Sequence, residues 1–87
     1  MVKATKELLA ERGKTHGDFS VQAEVAIALR LALASAPLIG ELSSPQTEAL
    51  TMICTKLARI VCGNPNERDH WDDIAGYATL AAERCEK

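Results

Sequence analysis

Four polar residues crowd one short segment near the carboxyl end of the chain: Asp69, His70, Asp72 and Asp73. In a helix, residues three or four positions apart share a face, which places His70 beside Asp73 and Asp69 beside Asp72 or Asp73. Paired carboxylates on one helix face can hold Mg²⁺, which prefers oxygen ligands and usually binds one or two carboxylates together with substrate phosphates. The spacing is therefore typical of a magnesium site.

Helix capping is the alternative role for these acids. Asp69 stands where a helix N-cap is expected, and Asp72 lies where an acid stabilises the positive end of the helix dipole. Asp73 lies about one residue deeper, so capping explains it least. The sequence leaves both roles open and makes Asp73 the residue for which a functional role is best motivated.

Basic residues fall where they could meet these carboxylates at one end of the fold. Lys56 and Arg59 lie three residues apart on one predicted helix, on the side away from its leucine stripe. Three more cations lie in or beside the predicted loops: Arg12, Lys14 and Arg68. Cations that contact phosphate oxygens and carboxylates that hold a metal ion together suit a phosphate-containing ligand, while a solvated helix face is the alternative for the helical pair.

Two histidines and a tryptophan complete the candidates. His16 lies in a polar loop predicted over residues 13–17, whose backbone N–H groups could bind a phosphate at the start of the second helix. His16 and His70 could each transfer a proton, but no Ser or Cys nucleophile lies at a matching local spacing. Trp71 could stack on a base or serve as a packing anchor.

The composition predicts the helices that must position these residues. Apolar residues make up 47% of the 87 residues and aromatic residues only 3%, which favours close-packed helices over a sandwich or barrel. We predict an all-α fold, a compact bundle of about four helices that forms a single domain over residues 1–87. The predicted helices are Lys3–Arg12 closed by Gly13, Val21–Ser35, Pro45–Cys62 and Asp69–Glu86.

Two of these helices show which faces should be buried. In the third helix, an apolar stripe at spacings of three and four consists of Leu50, Ile53, Leu57 and Ile60. In the second helix, residues 25–34 are apolar on every face except at Arg30, a pattern typical of a helix that is buried all round. Because a chain this short buries only about 60% of its unfolded surface, we expect a homo-oligomer with this helix between its subunits.

Charge and cysteine content restrict the partners and the compartment. Ten Lys and Arg against twelve Asp and Glu give a net charge of −2, which argues against nucleic-acid binding. Three cysteines without C-x-x-C spacing are typical of a reduced, cytoplasmic protein. The first residues lack the apolar core of a signal peptide, and the longest uncharged run is too short to span a membrane. We expect a cytoplasmic protein without membrane contact.

Two segments resemble a known family: ERGKTHGDF over residues 11–19 and EALTMICTKLARIVCGNPNERDHWDDIAGYATLAAE over residues 48–83. They resemble short, mostly uncharacterised bacteriophage and prophage proteins, in which an ERGxTYGDF-like segment precedes a KLARI…G…DxWxDIAGYA-like segment. His16 stands where that pattern more often has Tyr. The resemblance implies phage origin, and hence the host cytoplasm, but no particular activity.

A more distant similarity is to the all-α NTP pyrophosphatases of the MazG and dUTPase-like group. Those helical oligomers split a nucleoside triphosphate into a monophosphate and pyrophosphate, using Mg²⁺ held by an E-x-x-E pair on one helix and an E-x-x-D pair on the next. His70-x-x-Asp73 is similar to the second pair, with His in place of its first acid, and Glu48 is the only acid in the third helix. The similarity implies Asp73 and Glu48 as metal ligands.

Two functional hypotheses follow. In the first, the protein is a diverged pyrophosphohydrolase in which Asp73 and Glu48 bind Mg²⁺, and His70 or Asp69 orients the attacking water. The residues expected to bind the nucleotide and its phosphates are Arg12, Lys14, His16, Lys56, Arg59 and Trp71. In the second, a non-enzymatic oligomer sequesters a nucleotide or binds a host protein, as the depleted acidic pair and the apolar second helix indicate.

Overall fold

The computed structural model describes residues 4–85, which form four α-helices without a strand. This confirms the predicted all-α bundle. No helix among the described residues is both long enough and apolar enough to cross a membrane. The predicted helix ends at Lys3 and Glu86 lie outside the described residues. The helices are α1 (Thr5–His16), α2 (Phe19–Ala34), α3 (Ser44–Cys62) and α4 (Arg68–Ala82), with a 3₁₀ turn at Ile39–Glu41.

Side chains of the preceding residues cap the starts of α2 and α3. The Asp18 carboxylate accepts the backbone N–H of Val21 at 3.2 Å, which caps α2. At α3, the Ser43 hydroxyl accepts the N–H of Gln46, and the Gln46 side chain accepts the N–H of Ser43. Such a capping box satisfies two backbone donors that the helix leaves unpaired. Pro45 lies in the first turn, as predicted.

The predicted loop over residues 13–17 is wrong, because α1 continues through Gly13 to His16. Gly17 ends the helix instead, with a backbone φ of 84°. L-residues rarely adopt this conformation, whereas glycine adopts it without strain. Gly13 is tolerated inside the helix at a cost of about 1 kcal/mol relative to alanine. Residues 13–16 therefore present side chains on a helix face rather than loop amides.

The ends of α1 and α3 meet through two glycines. A side chain on Gly17 would overlap the carbonyl group of Cys62, and one on Gly63 would overlap the carbonyl oxygen of Thr15. At this contact, Asn64 donates its backbone N–H to the Thr15 carbonyl at 3.0 Å. Only a residue without a Cβ allows the two chain segments to approach this closely. The contact fixes the last turn of α1 against the end of α3.

α3 is the central helix, and it packs against the other three. The predicted stripe is only partly its buried face: Ile60 is buried and Leu57 is exposed. The described residues bury mainly small apolar side chains instead: Ala26, Ala49, Cys54, Ala58 and Ile60. The buried face is broader than a single stripe, because α3 has neighbours on several sides.

α2 is not buried all round within one chain. Only Gln22 and Ala26 of this helix are buried, whereas Ile27 and Leu31 are 51% and 65% exposed. Within one chain α2 packs mainly against α3, with a smaller contact to α1. Burial of its remaining surface between subunits stays a prediction.

The glycine contact predicts opposite effects for two substitutions of the same kind. Gly63→Ala should lower the free energy of unfolding by at least about 2 kcal/mol, because its methyl group would overlap backbone atoms of α1. Gly76→Ala in α4 meets no atom within 4 Å and should raise it by about 0.4–1 kcal/mol. Urea denaturation of both variants measures the difference, and equal effects would contradict the proposed close approach.

Candidate functional site

A cavity of about 660 Å³ lies between α1, the start of α2 and α3. One wall consists of the two guanidinium groups of Arg12 and Arg59 and the imidazole of His16, and for its two arginines we call it the cationic cavity. Arg12 and His16 share a face of α1 because they lie one helical turn apart. Leu9 and Phe19 add apolar surface, and Phe19 is 76% exposed. The cavity combines positive charge with an apolar rim.

The guanidinium of Arg59 is only partly satisfied. Its Nε is buried and has no hydrogen-bond partner among the described residues. The ion pairs within residues 4–85 join Lys56 to Asp73 and Arg68 to Asp72, so neither arginine of the cationic cavity is neutralised by one. Buried charge without a partner is costly, and an anionic ligand that accepts its hydrogen bonds would offset that cost.

The pKa of His16 is lowered in this environment. Burial lowers the pKa of His16 below its usual value of 6.5, and the charge of Arg59 lowers it further, with smaller contributions from His70, Lys56 and Arg12. The His16 ring also packs against the His70 ring, with centroids 5.0 Å apart. His16 is therefore uncharged near neutral pH and can accept a proton when an anion enters the cavity.

His70 is buried and holds α4 against α1. Its Nε2 lies 2.9 Å from the carbonyl oxygen of Thr15. Since a carbonyl oxygen only accepts hydrogen bonds, Nε2 carries the proton and donates it. The Thr15 carbonyl thus accepts from both Asn64 and His70. This bond commits one ring nitrogen of His70 to the fold; whether the residue takes part in catalysis stays a prediction.

Lys56 does not lie on a solvated face, because its side chain is only 11% exposed. Its Nζ lies 3.0 Å from Oδ2 of Asp73 on α4, whose side chain is 48% exposed. Lys56 and Asp73 line a second cavity of about 270 Å³ together with Asp69 and His70, and His16 lines both cavities. The predicted cations and acids therefore do converge, but in two adjoining cavities.

The acidic segment enters α4 in a different register from the predicted one. Glu67, not Asp69, occupies the N-cap position, and no side chain caps the helix there. Asp69 lies in the first turn, and Asp72 accepts a hydrogen bond from Arg68 at 3.3 Å. The prediction of an Asp69 cap is wrong, because α4 begins one residue earlier, at Arg68.

The described residues do not assemble the magnesium site that the pyrophosphatase similarity implies. Glu48 lies eight residues before Lys56 on α3, about 12 Å along the helix axis, and lines neither cavity. Asp73 is already paired with Lys56. Within residues 4–85, no group of three or more His, Cys, Asp or Glu side chains could hold a metal ion. Magnesium binding stays a prediction that this arrangement does not support.

The remaining predicted residues lie outside the two cavities. Lys14 is exposed on α1, and the Trp71 Nε1 donates to the carbonyl oxygen of Pro65 at 2.9 Å, with the residue 52% exposed. The sequence analysis missed Phe19 and Gln22, which line the cationic cavity. The Asp18 cap could have indicated them, since it fixes the first turn of α2 and hence which residues face α1.

The lowered pKa of His16 predicts how stability depends on pH. The unfolded chain protonates His16 near pH 6.5, whereas the folded chain protonates it only at lower pH. The contribution of the uncharged His16 to the free energy of unfolding is therefore complete above pH 6.5. It is lost as the pH falls through the pKa that His16 has in the folded state. Denaturation between pH 8 and 5.5 should show this loss, and His16→Gln should reduce it. An equal pH dependence in both proteins would contradict the assignment.

Comparison with known proteins gives a family but no activity. A family model described as a domain of unknown function, DUF6378, matches residues 1–85. Neither the curated proteins nor the solved structures give a match. Since the matched region is nearly the whole sequence, the chain belongs to the DUF6378 family.

Proposed function

We propose that the protein binds a phosphate-containing small molecule, with a nucleotide as the favoured class, in the cationic cavity. The observation that carries this proposal is the buried, unpartnered Nε of Arg59 on the wall of a cavity shared with Arg12 and His16. Phosphate oxygens accept charge-assisted hydrogen bonds, and the planar guanidinium fork matches their geometry. A bound phosphate would supply the acceptors that Arg59 lacks.

The size and lining of the cavity suit a nucleotide. Its volume of about 660 Å³ falls in the usual range for small-molecule sites. Among residues 4–85, Asp18 is the one acid that lines it, and its carboxylate already accepts the Val21 N–H. The apolar side chains of Leu9 and Phe19 offer a surface for a base or sugar, while the arginines contact the phosphates.

Binding without hydrolysis is the version that the charges favour. The enzyme hypothesis needs Asp73 and Glu48 as ligands of one metal ion. Asp73 is paired with Lys56, and Glu48 lies too far along α3 to share a metal ion with Asp73. Nucleotide sequestration by a phage protein in the host cytoplasm is therefore the proposed activity. Pyrophosphate release from any dNTP in the presence of Mg²⁺ would instead support the pyrophosphohydrolase hypothesis.

The binding proposal predicts stabilisation by phosphate compounds in the presence of EDTA. Tripolyphosphate and a panel of nucleoside mono-, di- and triphosphates are the probes, with sulfate as a matched anion control. A ligand at about 100 times its Kd should add about 2.7 kcal/mol to the free energy of unfolding. A thermal melt unchanged by every phosphate compound would contradict the proposal.

Substitution of the arginines localises the site. Arg12→Gln and Arg59→Gln should each weaken binding about 10- to 100-fold, because each removes a charge-assisted hydrogen-bond donor. Arg68→Gln is the matched control, since Arg68 is exposed, pairs with Asp72 and lines neither cavity. Arg12 is itself exposed on α1, so its variant should keep the fold. Calorimetric titration with equal affinities for all three variants would contradict the assignment.

A further inference from the structure

α2 presents an apolar face that no described element covers. Ile27 and Leu31 lie one turn apart on this face, with Ala28 beside them, and both large side chains are at least half exposed. Of the two charged residues in α2, Arg30 turns towards α3 and donates to the Thr55 hydroxyl at 2.9 Å. Only Glu24 adds charge on the outward side. Such a mostly apolar face, with Glu24 as the one charged residue that α2 adds to it, is typical of a protein interface.

The surface of the chain is too large for an isolated domain. It exposes 6492 Å², whereas a compact monomer of 9.4 kDa exposes about 5,000 Å². Its radius of gyration is 14.9 Å, against about 12 Å for a compact domain of this length. The excess area is larger than the roughly 800 Å² that each partner contributes to a standard interface.

The small size of the buried side chains indicates that the partner on the α2 face is bound permanently. Ile60 is the largest apolar residue buried within residues 4–85, and no large side chain there is fully buried. The apolar residues most exposed to water include Phe19, Leu31, Leu38 and Val61. A small domain with so few large side chains in its core gains its missing stability from association. A second copy of the chain is always available at the same concentration, unlike a host protein.

We infer that the chain forms a homodimer in which the Ile27–Leu31 faces of two α2 helices pack on each other about a twofold axis. A twofold contact uses the same surface on both copies, so this face must complement itself. Leu31 and Ile27 supply the packing, and the small side chain of Ala28 permits close approach. Glu24 lies one turn before Ile27 and Ala28 on the same face, so the two helices must cross nearer to Leu31 than to Glu24 to keep its carboxylate in water. The inference is independent of the cationic cavity, and either proposal can fail without the other.

Sedimentation equilibrium of the full chain and its variants tests the dimer. We expect twice the 9.4 kDa chain mass for the unsubstituted protein. Leu31→Ala removes the side chain from both copies of the dimer. If each loss raises the dissociation constant about tenfold, the dissociation constant of the dimer should rise about 100-fold. Leu31→Glu should give monomers. Val61→Ala is the matched control, because Val61 is 71% exposed on α3, outside the proposed interface.

Three outcomes would overturn the inference. The first is a monomer at every concentration of the unsubstituted chain, and the second is an assembly larger than a dimer. The third is dissociation by Val61→Ala without an effect of Leu31→Ala, which would place the interface elsewhere. Circular dichroism of each variant distinguishes dissociation from unfolding, and the milder Leu31→Ala decides the result.

Discussion

The carbonyl oxygen of Thr15 is the point on which the arrangement of the helices depends. It accepts the backbone N–H of Asn64 from the end of α3 and the Nε2–H of His70 from the start of α4. The backbone donor of Asn64 reaches it because Gly17 and Gly63 leave room for direct contact between the ends of α1 and α3. The end of α1, the end of α3 and the start of α4 are thereby held together, and the last turn of α1 lies against α3.

The electrostatics of the site follow from this contact. Holding α1 against α3 places Arg12 and His16 in the same cavity as Arg59, and holding α4 there brings Asp73 to Lys56. Lys56 is therefore neutralised by Asp73, whereas the two arginines of the cationic cavity have no ion-pair partner among residues 4–85. This difference makes the cationic cavity attractive to an anion. Burial, and after it the charge of Arg59, lowers the pKa of His16 and keeps its ring uncharged in the free protein.

Local signals in the sequence predict the helices well. Asp18 and Ser43 cap the helices that they precede, and the apolar periodicity gives four helices in the right order. The roles of Gly13 and Gly17 could not be separated in this way. Gly17 ends α1 with a positive φ and also lies against Cys62, a residue 45 positions away, and no local pattern reports that contact.

The sequence predicts which residues form the candidate site better than it predicts how they are arranged. Arg12, His16 and Arg59 were all named from the sequence, and the structure brings them together. Spacing along α3 leaves Lys56 either a phosphate-binding role or a solvated face. It does not predict the ion pair with Asp73, because the position of Asp73 on another helix depends on tertiary packing. The apolar pattern of α2 exceeds what a single chain can bury, which is the signal that leads to a second copy.

The side-chain nitrogens of His16 report most directly on whether the cationic cavity binds phosphate. An NMR pH titration in the absence and in the presence of saturating tripolyphosphate measures its pKa in both states. We predict a pKa below 6.5 in the free protein and a higher one in the complex, because the bound anion offsets the charges of Arg12 and Arg59. His16 resonances and a pKa that tripolyphosphate leaves unchanged would contradict a phosphate site in this cavity.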